Sequence, residues 1–472
     1  MPTSEVQAPS IDVINPATGE LIGTVPDTPP EGVDQAVAAA RECFEKRTWR
    51  GMDGSKRERV LWNIGELLTK YRDELARTIS LENGKTLKEA VGADVNPAAD
   101  CFRYYAGWVR KIYGSTIPVD GGFLNYTLRE PAGVVGAIVP WNFPLQIAAW
   151  KVAPALAAGC SVVLKPSENT PMNAVRLGEI CAEAGLPEGA LTVMTGYGET
   201  AGEALALHED VDKISFTGSI DTARKLMQCA GVSNLKRLSL ELGGKSPLIL
   251  FPDGDIEGAI KASLWGAFWG KGEVCCASSR LLVHAGVYDR FVEELAAKAR
   301  SMRVGDPLDA KTQVGSLISG RQLDRVLDYI ESGKSEGARA VCGGERDEEG
   351  SKAHGFFVKP TVFADVKPEM RIAREEIFGP VVCCIRFTDA EEAVRIANGT
   401  IYGLAAGVWT KDGALAHRVA ADLKAGTVWV NSYGAFDSGS PFGGYKLSGF
   451  GRDLGAEALE QYTQVKSVWV KI

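Results

Sequence analysis

The sequence predicts an α/β protein that contains a parallel, doubly wound sheet and a second α/β lobe. From Gly133 onward, short β-branched runs alternate with alanine-rich segments of helical periodicity, and a second alternation begins at Gly244. Parallel strands must be joined by a crossover, usually a helix, so this alternation is typical of βαβ units. At 472 residues, the chain is long enough for two domains with large cores.

The first part of the chain predicts a hairpin followed by helices. A turn-rich opening at residues 11–25 precedes a helical pattern. Between residues 55 and 92, apolar side chains recur at helical spacing with a break at Asn83, which indicates two long helices. Residues 116–128 form short extended segments whose apolar side chains have no partner within the segment. We therefore expect this stretch to be an excursion towards another subunit.

Two sets of strands and helices follow. The first set has strands at residues 134–139, 161–166, 191–194 and 213–216. The second set has helices at 255–268, 289–302 and 322–333 and strands near 381–385 and 427–430. Residues 463–472 alternate between apolar and polar, which predicts a terminal strand that must join a sheet formed elsewhere. Open parallel sheets bind their ligands beyond the carboxyl ends of the strands, so residues that follow strands are candidate binding residues.

Composition and charge exclude several classes of partner. Hydrophobic residues make up 45% of the sequence and charged residues 24%, values typical of a globular protein. The net charge is −8 and the basic residues are scattered, so neither nucleic acid nor a membrane surface is an expected partner. The start of the chain lacks a basic segment and an apolar run, and no apolar run elsewhere could span a bilayer. We therefore expect a cytoplasmic protein with a small-molecule ligand.

The cysteines and histidines argue against a metal site and against a histidine-based triad. Ten cysteines are spread along the chain without a Cys-x-x-Cys pair and without accompanying histidines, so we expect neither a disulfide framework nor a bound metal. The four histidines are far from one another in the sequence. A catalytic base must therefore be another kind of residue.

A glycine-punctuated loop with two adjacent cysteines, Cys275 and Cys276, is a candidate nucleophile loop. A thiolate needs an open backbone approach and a nearby base or donor array, and the flanking glycines favour such an approach. Alternatively, both cysteines are buried apolar residues of the core. Glu241 follows a strand-like run, and a carboxylate at that junction can activate water. The alternative for Glu241 is an ion pair with Lys245 or Lys271.

Two further signals point to a nucleotide. Gly218 and Ser219 end a predicted strand just before a helical segment, so amide and hydroxyl donors are available to a phosphate. The alternative is an ordinary helix cap. Glu168 lies three residues after Lys165, at the end of another strand, where a carboxylate can accept hydrogen bonds from ribose hydroxyls.

Together these stretches resemble the NAD(P)-dependent, non-acylating type of the aldehyde dehydrogenase superfamily over nearly the whole chain. The matching segments are Pro-Trp-Asn-Phe-Pro at 140–144, Lys-Pro-Ser-Glu at 165–168, Phe-Thr-Gly-Ser at 216–219, Glu-Leu-Gly-Gly-Lys at 241–245, Cys275, Glu-Ile-Phe-Gly-Pro at 376–380 and Pro-Phe-Gly-Gly-Tyr-Lys at 441–446. Their order and spacing also agree with the family. The sequence departs from the family at Glu273, Ser278 and Ala223, where relatives commonly have glutamine, glycine and glycine.

The resemblance implies a role for each of three catalytic residues. Cys275 would be the nucleophile, because the family's Cys-x-Ala-x-Ser-Arg ending fits the frame that starts at Cys275 and not at Cys276. Asn142, together with the Cys275 backbone amide, would form the oxyanion hole of a thiohemiacetal. Glu241 would activate the water that releases the acid.

The resemblance also implies a cofactor site and a substrate tunnel. The cofactor would be NAD, with NADP possible, and its expected contacts are Trp141, Lys165, Ser167, Glu168, Gly218, Ser219, Leu242, Glu376 and Phe378. The expected tunnel residues are Phe143, Ile147, Trp150, Trp269, Val274, Phe436 and Phe442. All seven are aromatic or aliphatic, and none supplies a cation that could pair with a buried substrate carboxylate.

The implied fold is a Rossmann-like cofactor domain, an α/β catalytic domain and a small β excursion for oligomerisation. The expected boundaries are residues 1–111 and 132–243 for the NAD(P)-binding domain, and 244–461 for the catalytic domain. Residues 112–131 and 462–472 would form the oligomerisation segment of a homodimer or homotetramer.

The implied reaction is oxidation of an aldehyde to the carboxylic acid through a thiohemiacetal and a thioester. Hydrophobic aldehydes, aromatic or medium-chain aliphatic, are the expected substrates. One alternative is a CoA-acylating semialdehyde dehydrogenase, although such an enzyme dispenses with a water-activating glutamate such as Glu241. A second is a betaine-aldehyde-type enzyme, since aromatic side chains can hold a quaternary ammonium. A third is a non-catalytic protein on the same scaffold, because a fold alone does not imply an activity.

Overall fold

The computed structural model of the protein describes residues 10–472. The strands of this part of the chain are β1 (Ser10–Ile14), β2 (Leu21–Pro26), β3 (Thr116–Ile117), β4 (Phe123–Pro131), β5 (Val134–Ile138), β6 (Ser161–Lys165), β7 (Leu191–Val193), β8 (Lys213–Gly218), β9 (Arg237–Leu242), β10 (Pro247–Leu250), β11 (Arg280–His284), β12 (Arg339–Cys342), β13 (Thr361–Ala364), β14 (Val381–Phe387), β15 (Tyr402–Gly403), β16 (Ala405–Trp409), β17 (Thr427–Val430), β18 (Tyr445–Lys446), β19 (Gly449–Phe450) and β20 (Thr463–Lys471).

The helices lie between these strands. They are α1 (Pro30–Glu45), α2 (Gly54–Lys70), α3 (Arg72–Asn83), α4 (Leu87–Glu89), α5 (Asn96–Ala106), α6 (Pro144–Ala158), α7 (Met172–Glu183), α8 (Glu203–Leu207), α9 (Ile220–Val232), α10 (Ile256–Phe268), α11 (Tyr288–Arg300), α12 (Gly320–Ser335), α13 (Arg371–Arg374), α14 (Ala390–Asn398), α15 (Gly413–Asp422) and α16 (Glu457–Gln461). A π-helical segment, Ala90–Val95, joins α4 to α5, and a 3₁₀ turn, Trp269–Gly272, follows α10.

A six-stranded sheet in the order β19-β9-β8-β5-β6-β7 forms the first layer. The five strands β5 to β9 pair in parallel. Strand β19 pairs with β9 in the antiparallel direction, at the edge of the sheet. Every residue of β5 is buried, as expected for a parallel strand with helices on both faces. The predicted doubly wound sheet is therefore present, with strand ends within two residues of the predicted ones.

A seven-stranded sheet in the order β12-β13-β14-β11-β10-β16-β17 forms the second lobe. Its strands are parallel except for β12, which pairs with β13 in the antiparallel direction. The connection that enters this sheet runs from β10 through α10 and the 3₁₀ turn to β11. Cys275 lies on this connection, between the 3₁₀ turn and β11.

The terminal strand β20 joins a separate three-stranded sheet, in the order β20-β4-β3. It pairs with β4 in the antiparallel direction from Thr463, opposite Pro131, to Lys471, opposite Phe123. The terminal strand therefore finds its partner in the predicted excursion, as expected from its lack of a local partner. The assignment of this sheet to subunit contacts and the domain boundaries given above stay predictions.

Within residues 10–472, no helix combines the length and the apolar character that spanning a bilayer requires. In the same part of the chain, no group of three or more His, Cys, Asp and Glu side chains is arranged to hold a metal ion.

Candidate active site

The side-chain amide of Asn142 points at the backbone of the cysteine loop. Asn142 lies in the short connection between β5 and α6, and its Nδ2 donates to the Glu273 carbonyl oxygen over 3.0 Å. The Asn142 carbonyl oxygen accepts from the Lys85 ammonium at 2.7 Å, so the residue is held at its backbone as well. An amide nitrogen has two N–H groups, and the contact with Glu273 uses one of them. The second remains for a substrate oxygen.

The cysteine loop has a backbone that only glycine-rich sequence allows. In the turn that precedes it, φ is +55° at Gly270, +61° at Lys271 and +71° at Gly272. A Cβ atom at Gly272 would lie 2.2 Å from the Gly379 carbonyl oxygen, so a side chain has no space there. Both glycines therefore suit the backbone of this turn, and the open approach to the cysteine stays a prediction.

The two adjacent cysteines have different surroundings. Cys275 is partly exposed, whereas Cys276 is only 4% exposed, and all the other cysteines are buried and unpaired. Tyr433 donates its hydroxyl to the Cys276 carbonyl oxygen over 2.7 Å, which anchors the loop immediately after Cys275. The interpretation as buried filler therefore suits Cys276 and not Cys275.

Glu241 lies near the end of β9 and is 4% exposed. The ion pair considered as an alternative role for Glu241 is wrong. Lys271 pairs instead with Glu273 at 2.9 Å, and Lys245 Nζ has no hydrogen-bond partner within the described residues. The Oε1 atom of Glu241 likewise has no hydrogen-bond partner there. Burying a carboxyl oxygen without a hydrogen-bond partner is energetically costly, and groups of this kind cluster at functional sites.

Burial raises the pKa of Glu241 from 4.5 to about 8, while the Lys151 ammonium lowers it and the Asp453 carboxylate raises it. The Cys275 pKa is also raised, first by a hydrogen bond with the Cys276 side chain, then by burial and by the Glu241 charge. Glu241 and Cys275 therefore lie close enough to shift each other's pKa. At neutral pH the thiol is protonated, so nucleophilic attack requires a proton acceptor.

A buried ion pair between Lys151 and Asp453, with Nζ and Oδ2 2.6 Å apart, flanks Glu241. Sequence reasoning missed this pair because its members are far apart in the chain. The available signal was Lys151 itself, a single charge in α6, all of whose residues are buried. A buried lysine needs a partner, and the partner comes from a distant segment of the chain.

A second buried pair, also missed, supports the Asn142 segment. Lys85 Nζ lies 2.6 Å from Asp94 Oδ2, and both side chains are inaccessible to solvent. Asp94 Oδ1 accepts from the backbone amides of Leu145 and Gln146 at the start of α6. The Lys85 ammonium is also 3.9 Å from the centre of the Phe143 ring. This pair therefore holds both flanks of Asn142.

A third set of contacts holds the turn before Cys275. Lys271 Nζ donates to the carbonyl oxygen and to the side-chain oxygen of Asn83, each at 2.8 Å. Asn83 in turn donates from Nδ2 to the Trp141 carbonyl oxygen at 2.8 Å. Glu273 Oε1 accepts from the Ile318 amide at 3.0 Å. The departure from the family at Glu273 is thus accommodated by an ion pair with Lys271.

The residues predicted to hold a phosphate and a ribose lie at strand ends of the first sheet. Gly218 is the last residue of β8, and Ser219 caps α9 by accepting from the Thr222 amide at 3.1 Å. Lys165 ends β6, and its Nζ lies 3.8 Å from Glu168 Oε2. Ser167 and Pro166 lie between them, and Pro166 O accepts from Lys165 Nζ at 3.0 Å.

The remaining predicted cofactor contacts lie where the two lobes meet. Glu376 Oε1 accepts from the Gly244 amide at 2.9 Å, two residues after Leu242, and burial raises the Glu376 pKa to about 7. The Trp141 and Phe378 rings meet edge to face, with centroids 5.3 Å apart. The predicted cofactor residues thus form two groups. The strand ends of the first sheet supply the donors of a helix N-terminus, an ammonium group and a carboxylate, and the junction of the two lobes supplies a second carboxyl group. This donor set fits a dinucleotide with phosphates and two riboses.

The predicted tunnel residues lie in contact with one another. The ring centroids of Phe143 and Trp269 are 5.1 Å apart. Trp150 and Phe442 are 5.6 Å apart, and Phe436 lies 5.3 Å from Phe442. The remaining two predicted residues, Ile147 and Val274, are buried in the same core cluster. The Lys85 ammonium next to Phe143 is already paired with Asp94, so it is not free for a substrate carboxylate.

Comparison with known proteins places this arrangement in a family. The sequence pattern described as "Aldehyde dehydrogenase family" matches residues 3–468. A protein named "Aldehyde dehydrogenase, mitochondrial" from Homo sapiens is 47% identical over 468 residues, which is 99% of this chain and 90% of that protein.

Solved structures have the same fold. A structure described as an NAD+ complex of an aldehyde dehydrogenase from Bacillus cereus is 45% identical, with a TM-score of 0.96, and the match covers 98% of this chain and 94% of that one. An indole-3-acetaldehyde dehydrogenase variant from P. syringae, described as a complex with NAD+ and IAA, is 43% identical with a TM-score of 0.96. That match covers 98% of this chain and 93% of the other.

Proposed function

The chain belongs to the aldehyde dehydrogenase family and is an enzyme that oxidises aldehydes, and we propose that it converts hydrophobic aldehydes to carboxylic acids with NAD+ by way of Cys275. One observation carries the mechanism: the partly exposed Cys275 lies beside Glu241, a buried carboxylate without a hydrogen-bond partner at Oε1. A nucleophile next to a carboxyl group that has a free acceptor atom is an arrangement suited to acyl chemistry.

In the first step, the Cys275 sulfur forms a bond to the aldehyde carbon, and Glu241 or solvent takes the thiol proton. Negative charge develops on the former carbonyl oxygen of the thiohemiacetal. The free N–H of the Asn142 amide and the Cys275 backbone N–H would donate to that oxygen. Because the Asn142 backbone is fixed by Lys85, the amide does not have to reorient during the reaction.

When bound, NAD+ supplies the acceptor for the hydride that leaves the aldehyde carbon, and the substrate then remains on Cys275 as a thioester. The α9 N-terminus with Ser219 would hold the pyrophosphate, and Lys165 with Glu168 would hold the adenosine ribose. Glu376 and Phe378 would hold the nicotinamide ribose and ring. The NAD+ complexes among the similar structures support this assignment.

In the last step, Glu241 takes a proton from water, the water oxygen attacks the thioester carbon, and the carbon–sulfur bond breaks. The acid leaves and Cys275 returns as a thiolate. The overall change is aldehyde, NAD+ and water to carboxylate, NADH and protons. Water activation by Glu241 favours this hydrolytic route over acyl transfer to CoA, for which a water-activating carboxylate is not needed.

The tunnel supports apolar substrates. Its predicted lining is aromatic or aliphatic, and the ammonium groups of Lys85 and Lys151 nearby are each paired with a buried aspartate. A short semialdehyde would place its carboxylate among these side chains without a cation. Betaine aldehyde is the second candidate, because contacting aromatic rings such as Trp150 and Phe442 can stabilise a quaternary ammonium.

A side-by-side assay tests the substrate class. Benzaldehyde, hexanal, succinate semialdehyde and betaine aldehyde are compared by kcat/KM at one pH, with NAD+ and formation of the reduced cofactor as the readout. We expect benzaldehyde or hexanal to have the highest kcat/KM. A clear lead for succinate semialdehyde or betaine aldehyde would contradict the hydrophobic-tunnel proposal. Turnover that requires CoA would contradict the hydrolytic one.

We also propose a division of the chain into domains and a subunit contact. Residues 1–111 and 132–243 would form the NAD-binding domain, 244–461 the catalytic domain, and 112–131 with 462–472 the subunit contact of a homodimer or homotetramer. Strands β5 to β9, before Gly243, belong to the six-stranded sheet, and the seven-stranded sheet begins with β10 after it. These two sheets and the separate β20-β4-β3 sheet support this division. The cytoplasmic location stays a prediction.

A further inference from the structure

A large cleft adjoins the predicted tunnel residues and opens to solvent. Its volume is about 1170 Å³, and its lining includes Trp265, Trp269, Gln146 and Phe436. Trp269 and Phe436 are also predicted tunnel residues. Trp265 and Trp269 stack with ring centroids 4.7 Å apart, which gives the cleft an aromatic wall.

The cleft leads towards the reacting groups. Trp269 begins the turn that precedes Cys275, and its ring lies 5.1 Å from that of Phe143, the neighbour of Asn142. A ligand whose aldehyde reaches Cys275 through the tunnel would therefore extend past Trp269 into the cleft. The cleft is wide enough for the distal part of such a molecule.

Four lysines line this cleft: Lys88, Lys261, Lys298 and Lys311. They come from four separate segments, namely α4, α10, α11 and the loop before α12, so their convergence is not the periodicity of one helix. Within residues 10–472, none of their ammonium groups forms an ion pair or a side-chain hydrogen bond, and three of the four lysines are exposed. Four unpaired positive charges therefore face one cavity.

The one acidic side chain in the described lining of the cleft, that of Glu89, already accepts hydrogen bonds from the protein. This side chain is buried. Its Oε1 accepts from the Gly270 amide at 2.8 Å, and its Oε2 accepts from the Thr86 amide and hydroxyl at 2.9 Å each. The lining of the cleft therefore has an excess of positive charge, even though the whole chain has a net charge of −8.

We propose, on the basis of the function proposed above, that the preferred substrates are aldehydes with an apolar middle and a carboxylate at the far end, long enough to place that carboxylate among the four cleft lysines. The aldehyde would lie at Cys275 and the apolar chain along Phe143 and Trp269. The carboxylate would stay hydrated in the open cleft, so it does not pay the desolvation cost that a short semialdehyde would meet in the tunnel.

Chain length separates this proposal from a general preference for anions. The assay compares aldehydes that end in a carboxylate with n-alkanals of equal length, from succinate semialdehyde and butanal upward, by kcat/KM with NAD+. We expect the carboxylate-to-alkanal ratio to be below one for the shortest pair and above one for longer pairs. The gain should shrink at high salt, because the Debye length falls from about 10 Å at 0.1 M to about 3 Å at 1 M.

A charge-matched pair of variants tests the lysines. The double variant Lys261→Gln with Lys298→Gln removes two cleft charges and should lower the ratio for long pairs by about threefold to tenfold, since exposed charge pairs are individually weak. The control is Lys367→Gln with Lys411→Gln, which removes the same charge from exposed lysines that do not line the cleft. We expect the control to keep the wild-type ratio. Single variants at Lys261 and Lys311 serve if the double variant does not fold.

The outcomes are distinguishable. If neither series is oxidised by the wild-type protein, the proposed function fails together with this inference. If n-alkanals are oxidised but the ratio stays below one at every length, only the carboxylate preference is overturned. An equal fall of the ratio in the cleft and control variants would also overturn it, because net charge and not the cleft would then set the preference.

Discussion

Cys275 and Glu241 are each held in the protonated form by their surroundings. Burial is the largest cause for Glu241, and a hydrogen bond with Cys276 is the largest cause for Cys275. Burial raises the pKa of a carboxyl group, so the ionised carboxylate is a stronger base in such a site than in water. A stronger base is better suited to take a proton from water. The same shifts make the activity depend on pH near neutrality.

We expect Cys275→Ala to abolish dehydrogenase turnover and Cys276→Ala to retain much of it. Only Cys275 is partly exposed beside Glu241, whereas Cys276 is buried. The measurement is steady-state formation of NADH with hexanal, with NAD+ binding and thermal unfolding as controls for folding. Equal loss in both folded variants would reject the assignment of Cys275.

Turnover limited by thioester hydrolysis should rise with pH by about tenfold per unit until the Glu241 pKa, about 8, because only the carboxylate form accepts a proton from water. Glu241→Gln should remove this pH dependence and stop steady-state turnover more than the first hydride transfer. A pre-steady-state burst of NADH measures the first transfer separately. Complete loss of the burst would show that Glu241 also deprotonates Cys275.

The free energy of unfolding should change with pH in the opposite direction to the turnover. The unfolded Glu241 ionises near 4.5 and the folded one near 8, so the free energy of unfolding falls as the pH rises between these values. The Gln variant lacks this loss and should gain stability relative to the wild type across the same window. Urea unfolding of both proteins at the two ends of the window tests the sign.

Glu168 should favour NAD+ over NADP+, since a 2′-phosphate would meet a carboxylate and like charges repel. Lys165, 3.8 Å away, limits the preference because it can accept a phosphate if Glu168 moves aside. Glu168→Gln should therefore raise kcat/KM with NADP+ relative to NAD+, measured with one aldehyde. Equal or better efficiency of the wild type with NADP+ would contradict this prediction.

At the level of elements, the site is assembled where chain segments end. Asn142 follows β5, Glu241 closes β9, and Cys275 follows the turn after α10. Strand ends carry binding residues in parallel sheets because the strands point the same way and the loops gather at one edge. The buried polar pairs then fix these loops at the distances that the chemistry requires.

Asp94→Asn should destabilise the protein by about 3–5 kcal/mol, because it leaves the fully buried Lys85 ammonium without its counter-charge. Activity should fall in the surviving folded fraction, since Lys85 also fixes the Asn142 backbone. The measurement is urea unfolding together with kcat.

The matched control for Asp94 is Asp53→Asn, which breaks an exposed pair with Lys56. Such pairs contribute about 0–1 kcal/mol, so the control should change stability little. Similar losses in the two variants would show that burial of the Lys85 pair does not matter for folding.

At the scale of the whole molecule, the β20-β4-β3 sheet exposes large apolar side chains to solvent. Val465 is 61% exposed and Trp469 is 58% exposed. Both lie on the same face of β20, because side chains alternate between the faces of a strand and these two are four positions apart. Large apolar side chains exposed on one strand face often mark protein–protein contacts. This face supports the proposed subunit contact.

The double variant Val465→Glu with Trp469→Glu should therefore lower the oligomeric state, because buried unpaired carboxylates oppose association. Size-exclusion chromatography with light scattering measures the mass of the particle. Gln464→Glu, on the opposite face of the same strand, is the control and should leave the mass unchanged. A wild-type protein that is monomeric would contradict the proposal.

The sequence by itself determined the α/β class, the family, and the strands β5 to β8 to within two residues. It did not predict strands such as β10, β13 and β16, and it placed the break between the first long helices at Asn83, whereas α2 already ends at Lys70. Hydrophobic periodicity is a local property of the chain, and the segments around Asn142, Glu241 and Cys275 are contiguous, so both can be recognised without knowing the fold. The glycines at 270 and 272 can also be recognised in the sequence, although the lack of space at Gly272 comes from the Gly379 carbonyl of a distant segment.

Only the tertiary structure decided which groups face one another. The Lys151–Asp453 and Lys85–Asp94 pairs, the unpaired state of Glu241 and the convergence of lysines on the cleft depend on how distant segments pack. A side chain's pKa and its partners are set by burial and by the distance to other charges. Neither quantity is a property of the local sequence, because both arise only when the chain is folded.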